Sequence, residues 1–175
     1  MTGQIILACD DKGKFLEYIP KMVGHTGDGR RHIAIAVLLK NLKNEVLLQK
    51  RKHKIFDNIW DLTGATHPLH KEDSEDESLE EATKRCLETE WGIRGIRGIR
   101  VVGFFNYFAK YGKYCENEHC AILVGQYDGP IKMDPKVGYE YKWMDRLKFL
   151  EDINKNPQNY TPWAIEVAKI LRKIV

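Results

Sequence analysis

The stretch from His32 to Lys40 is a near-continuous run of apolar residues, and it constrains the fold more than any other part of the sequence. Strands that are buried on both faces carry such runs, whereas a strand with one solvated face alternates polar and apolar residues. The turn over 41–44 follows at once, and Glu45 to Arg51 returns as a second strand-like segment. The pattern predicts a buried β-hairpin at the centre of the fold.

The remaining segments predict a sheet with helices packed against it. Further strands are expected over 4–9, 14–18, 99–109, 113–127 and 138–144, with an irregular stretch over 52–73. One helix is expected after Ser74, and another from Pro162 to the end. This order favours an α+β fold with a mixed β-sheet sandwiched between helices. No boundary stands out in the 175 residues, so residues 1–175 are expected to form a single domain.

Composition and charge exclude several classes of protein. The apolar fraction of 43% and the charged fraction of 30% are typical of a globular protein. The net charge is only +3 and the basic residues are scattered, so a nucleic-acid partner is not indicated. The apolar stretch from Ile5 to Cys9 is too short for a membrane span or a signal peptide, so no membrane partner is expected. The four cysteines form no C-x-x-C pair, which favours a reducing cytoplasm.

The helix after Ser74 carries a carboxylate in the middle of its apolar face. Ser74 and Glu77 have the S-x-x-E spacing of a capping box. Glu90 follows Leu79 by about three helical turns, so both residues lie at nearly the same angle around the helix axis. A buried, unpaired charge is costly, so Glu90 needs a partner or an exposed position. A salt bridge to Arg85, a helix end tilted to solvent and a bound cation all meet this requirement.

Two further glutamates and three histidines are also able to bind a metal. Glu116 and Glu118 are two residues apart on a predicted strand, so they point to one face about 6.6 Å apart. Such like charges repel each other unless a cation or a proton lies between them, and solvated acids at an exposed strand end are the alternative. His25, His32 and His67 show no metal-binding spacing. Imidazole together with carboxylate oxygen would suit Mn²⁺, Zn²⁺ or Mg²⁺.

Basic and aromatic side chains offer the other parts of a binding site. Four basic residues could receive phosphate oxygens or be ordinary surface charges: Lys21, Arg51, Lys54 and Arg85. Three aromatic residues could line a pocket or pack in the core: Trp60, Tyr107 and Trp163. The sequence has no Walker loop, no G-x-G-x-x-G and no G-x-S-x-G, so the common nucleotide-binding and hydrolase motifs are absent.

The segment from Gly64 to Ile93 resembles the Nudix box, G-x5-E-x7-R-E-U-x-E-E-x-G-U. The matching positions are Glu77, Arg85, Leu87, Glu90, Gly92 and Ile93. Lys71 stands where the box has a glycine, and Cys86 and Thr89 stand where it has glutamates. One branch of the Nudix superfamily, the type I isopentenyl-diphosphate isomerases, also lacks these two glutamates, and the chain resembles that branch more closely.

Five segments carry the resemblance to the isomerases, which covers roughly residues 4–170. They are the H-x6-H segment from His25 to His32, Thr66-His67-Pro68-Leu69, Phe105-Asn106-Tyr107, Glu116-Asn117-Glu118 and Thr161-Pro162-Trp163. They are similar, respectively, to the H-x6-H, G-H-P, F-x-Y, E-x-E and S/T-P-W motifs of the branch. The combination is far more specific than any one motif.

The resemblance implies a divalent-metal-dependent enzyme that moves a proton on a small-molecule isoprenoid diphosphate. One ion, Mn²⁺, Zn²⁺ or Mg²⁺, would be bound by His25, His32, His67, Glu116 and Glu118. Glu90 would hold a Mg²⁺ that bridges the substrate diphosphate. The diphosphate itself would contact Lys21, Arg51, Lys54 and Arg85. Trp163 would cover a developing carbocation with its π face, and Glu118 and Tyr107 would handle the proton delivered to the alkene.

Ala65 departs from the isomerase pattern. The family has a cysteine at this position, where it handles a proton on the opposite face of the substrate, and a methyl group cannot do so. Cys120, on the strand face of Glu118, is equally consistent with a core residue. The hydroxyls of Thr63 and Thr66 are too weakly acidic to replace a thiol unaided. Three hypotheses stay open: an isomerase-like enzyme with altered or weak activity, a Nudix hydrolase of an organic or nucleoside diphosphate, and a non-catalytic prenyl-diphosphate binder.

Overall fold

The buried apolar run forms the central strand of a mixed β-sheet. The computed structural model describes residues 3–72 and 75–173. The run is strand β3 (His32–Lys40), which is buried along almost its whole length. Strand β8 (Tyr114–Gln126) pairs parallel with one edge of β3, and β6 (Gly64–Thr66) pairs antiparallel with the other. Both edges of β3 are therefore covered where the apolar residues lie.

The described residues form nine strands and four α-helices. The other strands are β1 (Ile5–Cys9), β2 (Phe15–Pro20), β4 (Glu45–Arg51), β5 (Trp60–Asp61), β7 (Arg97–Tyr111) and β9 (Gly138–Asp145). The helices are α1 (Lys21–Gly24), α2 (Leu79–Trp91), α3 (Arg146–Lys155) and α4 (Pro162–Leu171). Strands β2, β1, β3, β4 and β5 are successive neighbours, β7 pairs with β8, and β9 pairs with β4. No described helix has both the length and the apolar character needed to cross a lipid bilayer.

The predicted central hairpin is correct at its turn and wrong beyond it. Strands β3 and β4 pair antiparallel at Lys40 and Val46. Farther from the turn, β6 pairs with β3, while β4 pairs with β5 and β9. A strand has only two edges, so partners on both sides of each strand force the hairpin to open.

Side chains along β3 alternate between two apolar layers. Odd-numbered residues from Ile35 to Leu39 pack with the buried side of α2, which includes Trp91. Even-numbered residues from Ala34 to Leu38 pack with residues of α3 and α4. Successive side chains of a strand point to opposite faces, so helices on both sides explain the unbroken apolar run. The predicted mixed sheet between helices is confirmed.

The other long strands were predicted from the sequence, whereas β5, β6 and α3 were not. The strands expected over 4–9, 14–18, 99–109, 113–127 and 138–144 are present with small shifts of their ends. Strands β5 and β6 lie in the stretch expected to be irregular, because two or three residues are too few to show alternation. Helix α3 buries only Phe149, Leu150 and Ile153, so its apolar periodicity is weak.

Helix α2 begins at Leu79, later than expected. The predicted cap Ser74 lies outside the described residues, and residues 75–78 precede the helix. The capping box is instead formed by Ser78, whose Oγ accepts from the Glu81 N–H at 3.1 Å, and by Glu81, whose carboxylate accepts from the Ser78 N–H at 2.8 Å. The sequence carries the S-x-x-E spacing twice, so the motif alone could not choose between them. Gly92 ends the helix in a left-handed conformation, as predicted.

Candidate functional site

Three histidines from separate segments converge at one end of β3. His25 follows α1, His32 is the first residue of β3, and His67 follows β6 directly. The ring centroids of His25 and His32 lie 4.7 Å apart, and each lies 4.9 Å from that of His67. All three side chains are buried. Strand pairing produces this convergence, which is why spacing in the sequence gave no indication of it.

The register of strand β8 adds a carboxylate to the histidines. Glu118 lies opposite His32 in the parallel pair of β3 and β8. Its Oε1 is 2.9 Å from His67 Nε2 and 3.6 Å from His32 Nε2. One ligand atom from each of His25, His32, His67 and Glu118, hereafter the metal-capable group, lies within 4.8 Å of the others. Three imidazole nitrogens and one carboxylate oxygen are a donor set that divalent transition metals bind.

Hydrogen bonds on the outer side of two histidines fix where the proton lies. His32 Nδ1 donates to the carbonyl oxygen of Arg30 at 2.8 Å. His25 Nδ1 faces the carbonyl oxygen of Cys115 at 3.2 Å and Glu116 Oε2 at 3.1 Å. Acceptors on this side place a proton on Nδ1, and the neutral ring then has a lone pair on Nε2. Burial opposes protonation of His25, but the Glu116 carboxylate outweighs burial and raises the pKa of His25, so a metal ion would replace a proton at Nε2 of that ring. Both Nε2 atoms are buried with no hydrogen-bond partner in the part of the chain that the structure describes. A cation would satisfy both atoms, so the residues fit a metal ion.

Glu116 and Glu118 are both buried, so the alternative of solvated acids at an exposed strand end is wrong. Burial opposes ionisation of Glu118, but its contacts with His32 and the Tyr107 hydroxyl outweigh burial and hold its pKa below the usual range. Burial, together with the nearby His32, lowers the pKa of His67 far below that of a free imidazole. An ionised carboxylate beside a neutral imidazole is the protonation state that metal ligands require.

Tyr107 reaches the same carboxylate from strand β7. It lies opposite Glu118 in the antiparallel pair of β7 and β8, and its hydroxyl donates to Glu118 Oε2 at 2.5 Å. Burial and the carboxylates of Glu118 and Glu116 hold the pKa of Tyr107 well above its usual range. The phenol therefore keeps its proton, and Glu118 faces a histidine through one oxygen and a proton donor through the other.

These groups, except the fully buried His32, border a cavity of about 360 Å³. This volume falls within the range of small-molecule sites, about 300–1,000 Å³. Its wall contains most of the site residues predicted from the sequence: Lys21, His25, Arg51, Lys54, His67, Tyr107, Glu116, Glu118 and Trp163. The cavity wall thus contains both acidic, metal-capable residues and basic residues. Burial lowers the pKa of the Lys21 ammonium, against the opposing charges of Glu116 and Glu118.

His53 also lines the cavity and was missed in the sequence. Burial, and then the charges of Arg51 and Lys21, lower the pKa of His53. Its imidazole is therefore neutral at physiological pH. The available signal was the basic run from Lys50 to Lys54, in which His53 lies.

Trp163 forms an aromatic part of the cavity wall. Its ring centroid lies 5.5 Å from that of Phe56 and 6.2 Å from that of Tyr107. The guanidinium carbon of Arg51 lies 4.8 Å from the indole centroid, within the range of a cation–π contact. The surroundings of this ring therefore accommodate positive charge.

Glu90 and Arg85 lie outside the set of residues that line the cavity. Arg85 Nε donates to Glu77 Oε1 at 2.8 Å, and Arg85 Nη2 donates to the carbonyl oxygen of His67 at 2.8 Å. Arg85 is thus paired with Glu77 rather than with Glu90. Burial raises the pKa of Glu90 to about 7, against a hydrogen bond with the Cys86 thiol. A diphosphate contact from Arg85 and a cation at Glu90 stay predictions.

Ala65 lies in the cavity wall on strand β6 and offers no transferable proton. Cys120 is buried in the apolar layer of α3 and α4, and burial holds the pKa of its thiol well above the usual range. The hydroxyl of Thr63 donates to the carbonyl oxygen of Leu47 at 2.7 Å. Of Cys120, Thr63 and Thr66, only Thr66 lines the cavity.

Comparison with known proteins identifies related sequences. The NUDIX domain model matches residues 30–164. The isopentenyl-diphosphate Delta-isomerase of Nocardia farcinica is 30% identical over 163 residues, which are 92% of this chain and 90% of that protein. The isopentenyl-diphosphate Delta-isomerase of Citrobacter koseri is 25% identical over 168 residues, with coverage of 94% and 90%.

A solved structure has the same fold. DR0079 from Deinococcus radiodurans matches with a TM-score of 0.70 over 95% of this chain and 97% of that chain, at 13% sequence identity. The family model covers more than half of the chain, and the isomerase relatives align along nearly all of it. The chain therefore belongs to the NUDIX domain family and is an enzyme of the isopentenyl-diphosphate isomerase-like kind within that family.

Proposed function

We propose that this protein is a divalent-metal-dependent isomerase that adds and removes a proton on an isoprenoid diphosphate. The observation that carries the proposal is the metal-capable group beside Tyr107 in one cavity. Isomerising an alkene requires a proton donor held next to an apolar chain, and the pair of Tyr107 and Glu118 supplies one. Cleavage of a diphosphate has no need of this pair.

The proposed metal centre binds Mn²⁺, Zn²⁺ or Mg²⁺ through His25, His32, His67 and Glu118. Glu116 contacts His25 Nδ1 at 3.1 Å, so we place it beside the ion, where it orients the His25 ring and adds negative charge. The unpartnered Nε2 atoms of His25 and His32 support this assignment. When bound, the ion would supply positive charge that offsets the repulsion between the two buried carboxylates.

The chain's own groups then handle the proton. The hydrogen-bonded pair of Tyr107 and Glu118 delivers one proton to the terminal alkene carbon, and solvent later returns a proton to the pair. The rings of Tyr107 and Trp163 stabilise the positive charge that forms on the ligand. Loss of a proton from the neighbouring carbon then yields the isomer. A water molecule held by Thr66 would accept this proton in place of the missing thiol, so weak activity is expected.

The basic residues of the cavity wall are proposed to bind the diphosphate. Lys21, Arg51 and Lys54 line it, and Arg85 lies behind His67. Glu90 is proposed to hold a Mg²⁺, which would supply positive charge to offset that of the diphosphate. Glu90 is half-buried and its pKa is raised to about 7, so a cation would stabilise its ionised form.

A Nudix hydrolase of an organic or nucleoside diphosphate is the second candidate function. Ala65 favours it, because the cavity lacks the second proton-handling group of the isomerases. Cys86 and Thr89 count against it, because they replace two glutamates that Nudix hydrolases use as metal ligands. A non-catalytic prenyl-diphosphate binder is the third candidate function.

One experiment separates these functions. The metal-loaded protein is incubated with isopentenyl diphosphate, and dimethylallyl diphosphate and phosphate are followed together by NMR. Formation of the isomer without phosphate supports the proposal. Release of phosphate supports the hydrolase, and neither product despite measurable binding supports the binder.

We also infer that the chain is a single domain that works in the cytoplasm on a small-molecule substrate. Strands from β1 to β9 share one sheet, which supports a single domain. Cys9, Cys86, Cys115 and Cys120 are free and buried, which supports a reducing compartment.

A further inference from the structure

Asp61 is a fully buried carboxylate on strand β5. Its Oδ2 accepts a hydrogen bond from Arg51 Nη1 at 2.8 Å. Its Oδ1 accepts from Thr161 Oγ1 at 2.8 Å and from the backbone N–H of Leu62 at 2.7 Å. Burial raises the pKa of Asp61, and these three donors offset part of that effect.

Thr161 connects Asp61 to the aromatic wall of the cavity. Thr161 is the N-cap of α4, and its Oγ1 also accepts from the backbone N–H of Ala164 at 3.4 Å. Trp163 lies in the first turn of the same helix and lines the cavity. Asp61 therefore holds both the helix end that carries Trp163 and the guanidinium that lies against the Trp163 ring.

The Arg51 side chain is held in place before any ligand binds. Its backbone N–H donates to the carbonyl oxygen of Ile59, and its own carbonyl oxygen accepts from Asn58, both at 2.9 Å. The side chain is only 12% exposed, and one guanidinium nitrogen is taken by Asp61. A free arginine loses much rotamer freedom when it binds an anion, so an arginine that is already ordered binds at lower entropic cost.

Stability alone is a weak explanation for this buried ion pair. Desolvation of two charges offsets most of their attraction, and apolar residues of similar volume stabilise a fold equally well. Asp61 contacts Arg51, which lines the cavity, but Asp61 does not line the cavity itself. Its position is suited to directing Arg51 rather than to contacting a ligand.

We propose that Asp61 is a positioning residue for the diphosphate side of the cavity. It holds the Arg51 guanidinium against Trp163. The guanidinium N–H groups that do not bond to Asp61 can then donate to the phosphate oxygens of the ligand. This inference rests on the proposed function, since it takes a diphosphate as the ligand. Asp61 acts through Arg51, and Thr161 holds the other oxygen of the Asp61 carboxylate in place.

A double-mutant cycle on the metal-loaded full chain tests the inference. The dissociation constant for isopentenyl diphosphate is measured by calorimetry for Asp61→Asn, Arg51→Met and the double variant. We expect Asp61→Asn to weaken binding about tenfold or more. We expect the double variant to bind no more weakly than Arg51→Met, because Asp61 then has nothing to position.

Two matched variants separate positioning from stability. Thr63→Val removes another buried hydroxyl, which lies between β5 and β6 and off the cavity. It is expected to lower the melting temperature and to leave the dissociation constant unchanged. Thr161→Val is expected to weaken diphosphate binding. Thr161→Ser keeps the hydroxyl and is expected to bind the diphosphate as the wild type does. If Asp61→Asn does not fold, the cycle of Thr161→Val with Arg51→Met replaces it.

The outcomes distinguish this inference from the proposed function. Binding of the diphosphate by the wild type and equally by Asp61→Asn would overturn the role of Asp61 alone. Additive losses in the cycle would do the same, since they would show that Asp61 does not act through Arg51. Failure of the wild type to bind any diphosphate would overturn the proposed function and this role with it.

Discussion

Under the proposed function, replacing Ala65 with cysteine is expected to raise the rate of isomerisation. Ala65 is half-buried in the wall of the cavity that also contains Glu118 and Tyr107. The cavity of about 360 Å³ leaves room for one added sulfur atom, so the substitution does not overpack the core. The new thiol would exchange a proton with a bound ligand from the β6 side of the cavity.

The expected gain follows from the general contribution of a proton-transferring group. Such a group accelerates a reaction by about 10²–10⁴-fold. That corresponds to about 3–5 kcal/mol of activation free energy. The gain should appear in kcat with little change in KM, because the thiol adds no ground-state contact with the diphosphate. The free energy of unfolding should change by less than about 1 kcal/mol, since no core atom is removed.

The assay is the NMR-detected conversion of isopentenyl diphosphate to dimethylallyl diphosphate. Ala65→Ser is the matched control, because it adds a hydroxyl of similar size with far lower acidity, and it should stay at the wild-type rate. Adding Glu118→Gln to Ala65→Cys should remove the gain. An Ala65→Cys variant that is folded and metal-loaded but no faster than the wild type would refute the assignment of this position to the catalytic centre.

Three further predictions follow from the same structure. Chelation of divalent metal should lower the melting temperature and its return should restore it, with a stabilisation of about 2.7 kcal/mol at a metal concentration 100-fold above Kd. His32→Gln should lose this response in a thermal-shift assay, whereas His70→Gln, which affects a histidine paired with Asp76 outside the metal-capable group, should keep it. Because burial raises the pKa of Glu90 to about 7, ionising Glu90 destabilises the metal-free fold as pH rises. In urea unfolding near pH 8, Glu90→Gln should therefore have a free energy of unfolding up to about 3 kcal/mol higher than the wild type, and near pH 4 the difference should be small. A variant and a wild type of equal stability at both pH values would contradict the burial argument. Ser78→Ala should lower the free energy of unfolding by about 1 kcal/mol through loss of the α2 cap, and an unchanged denaturation midpoint would count against the assigned start of α2.

The layered fold was predictable because its strongest signals are local. The unbroken apolar run of β3 requires cover on both faces, and the periodic face of α2 supplies part of that cover. The opening of the β3–β4 hairpin was not predictable, because it depends on β6 and β9, which come from distant segments. The start of α2 was ambiguous because the capping motif occurs twice.

The candidate site was predictable in its members and not in its geometry. Period-two spacing placed Glu116 and Glu118 on one face, but only the β3–β8 register brings His32 beside Glu118. The alternative prediction, that these glutamates are solvated at an exposed strand end, was wrong, since both carboxylates are buried. Asp61 gave no signal, because a lone acid in a short strand has nothing in the sequence to link it with Arg51 and Thr161.

The register that joins His32 to Glu118 also has a consequence for the lifetime of the folded state. The two residues lie on parallel strands from distant parts of the chain, so the complete ion site exists only after β3 and β8 have docked. Parallel pairing across a long loop is a slow and late step of folding. An ion that binds only the docked strands lowers the free energy of the native state more than that of the folding transition state. A metal bound at this site would therefore slow unfolding without accelerating refolding, so that metal supply would set the lifetime of the folded state.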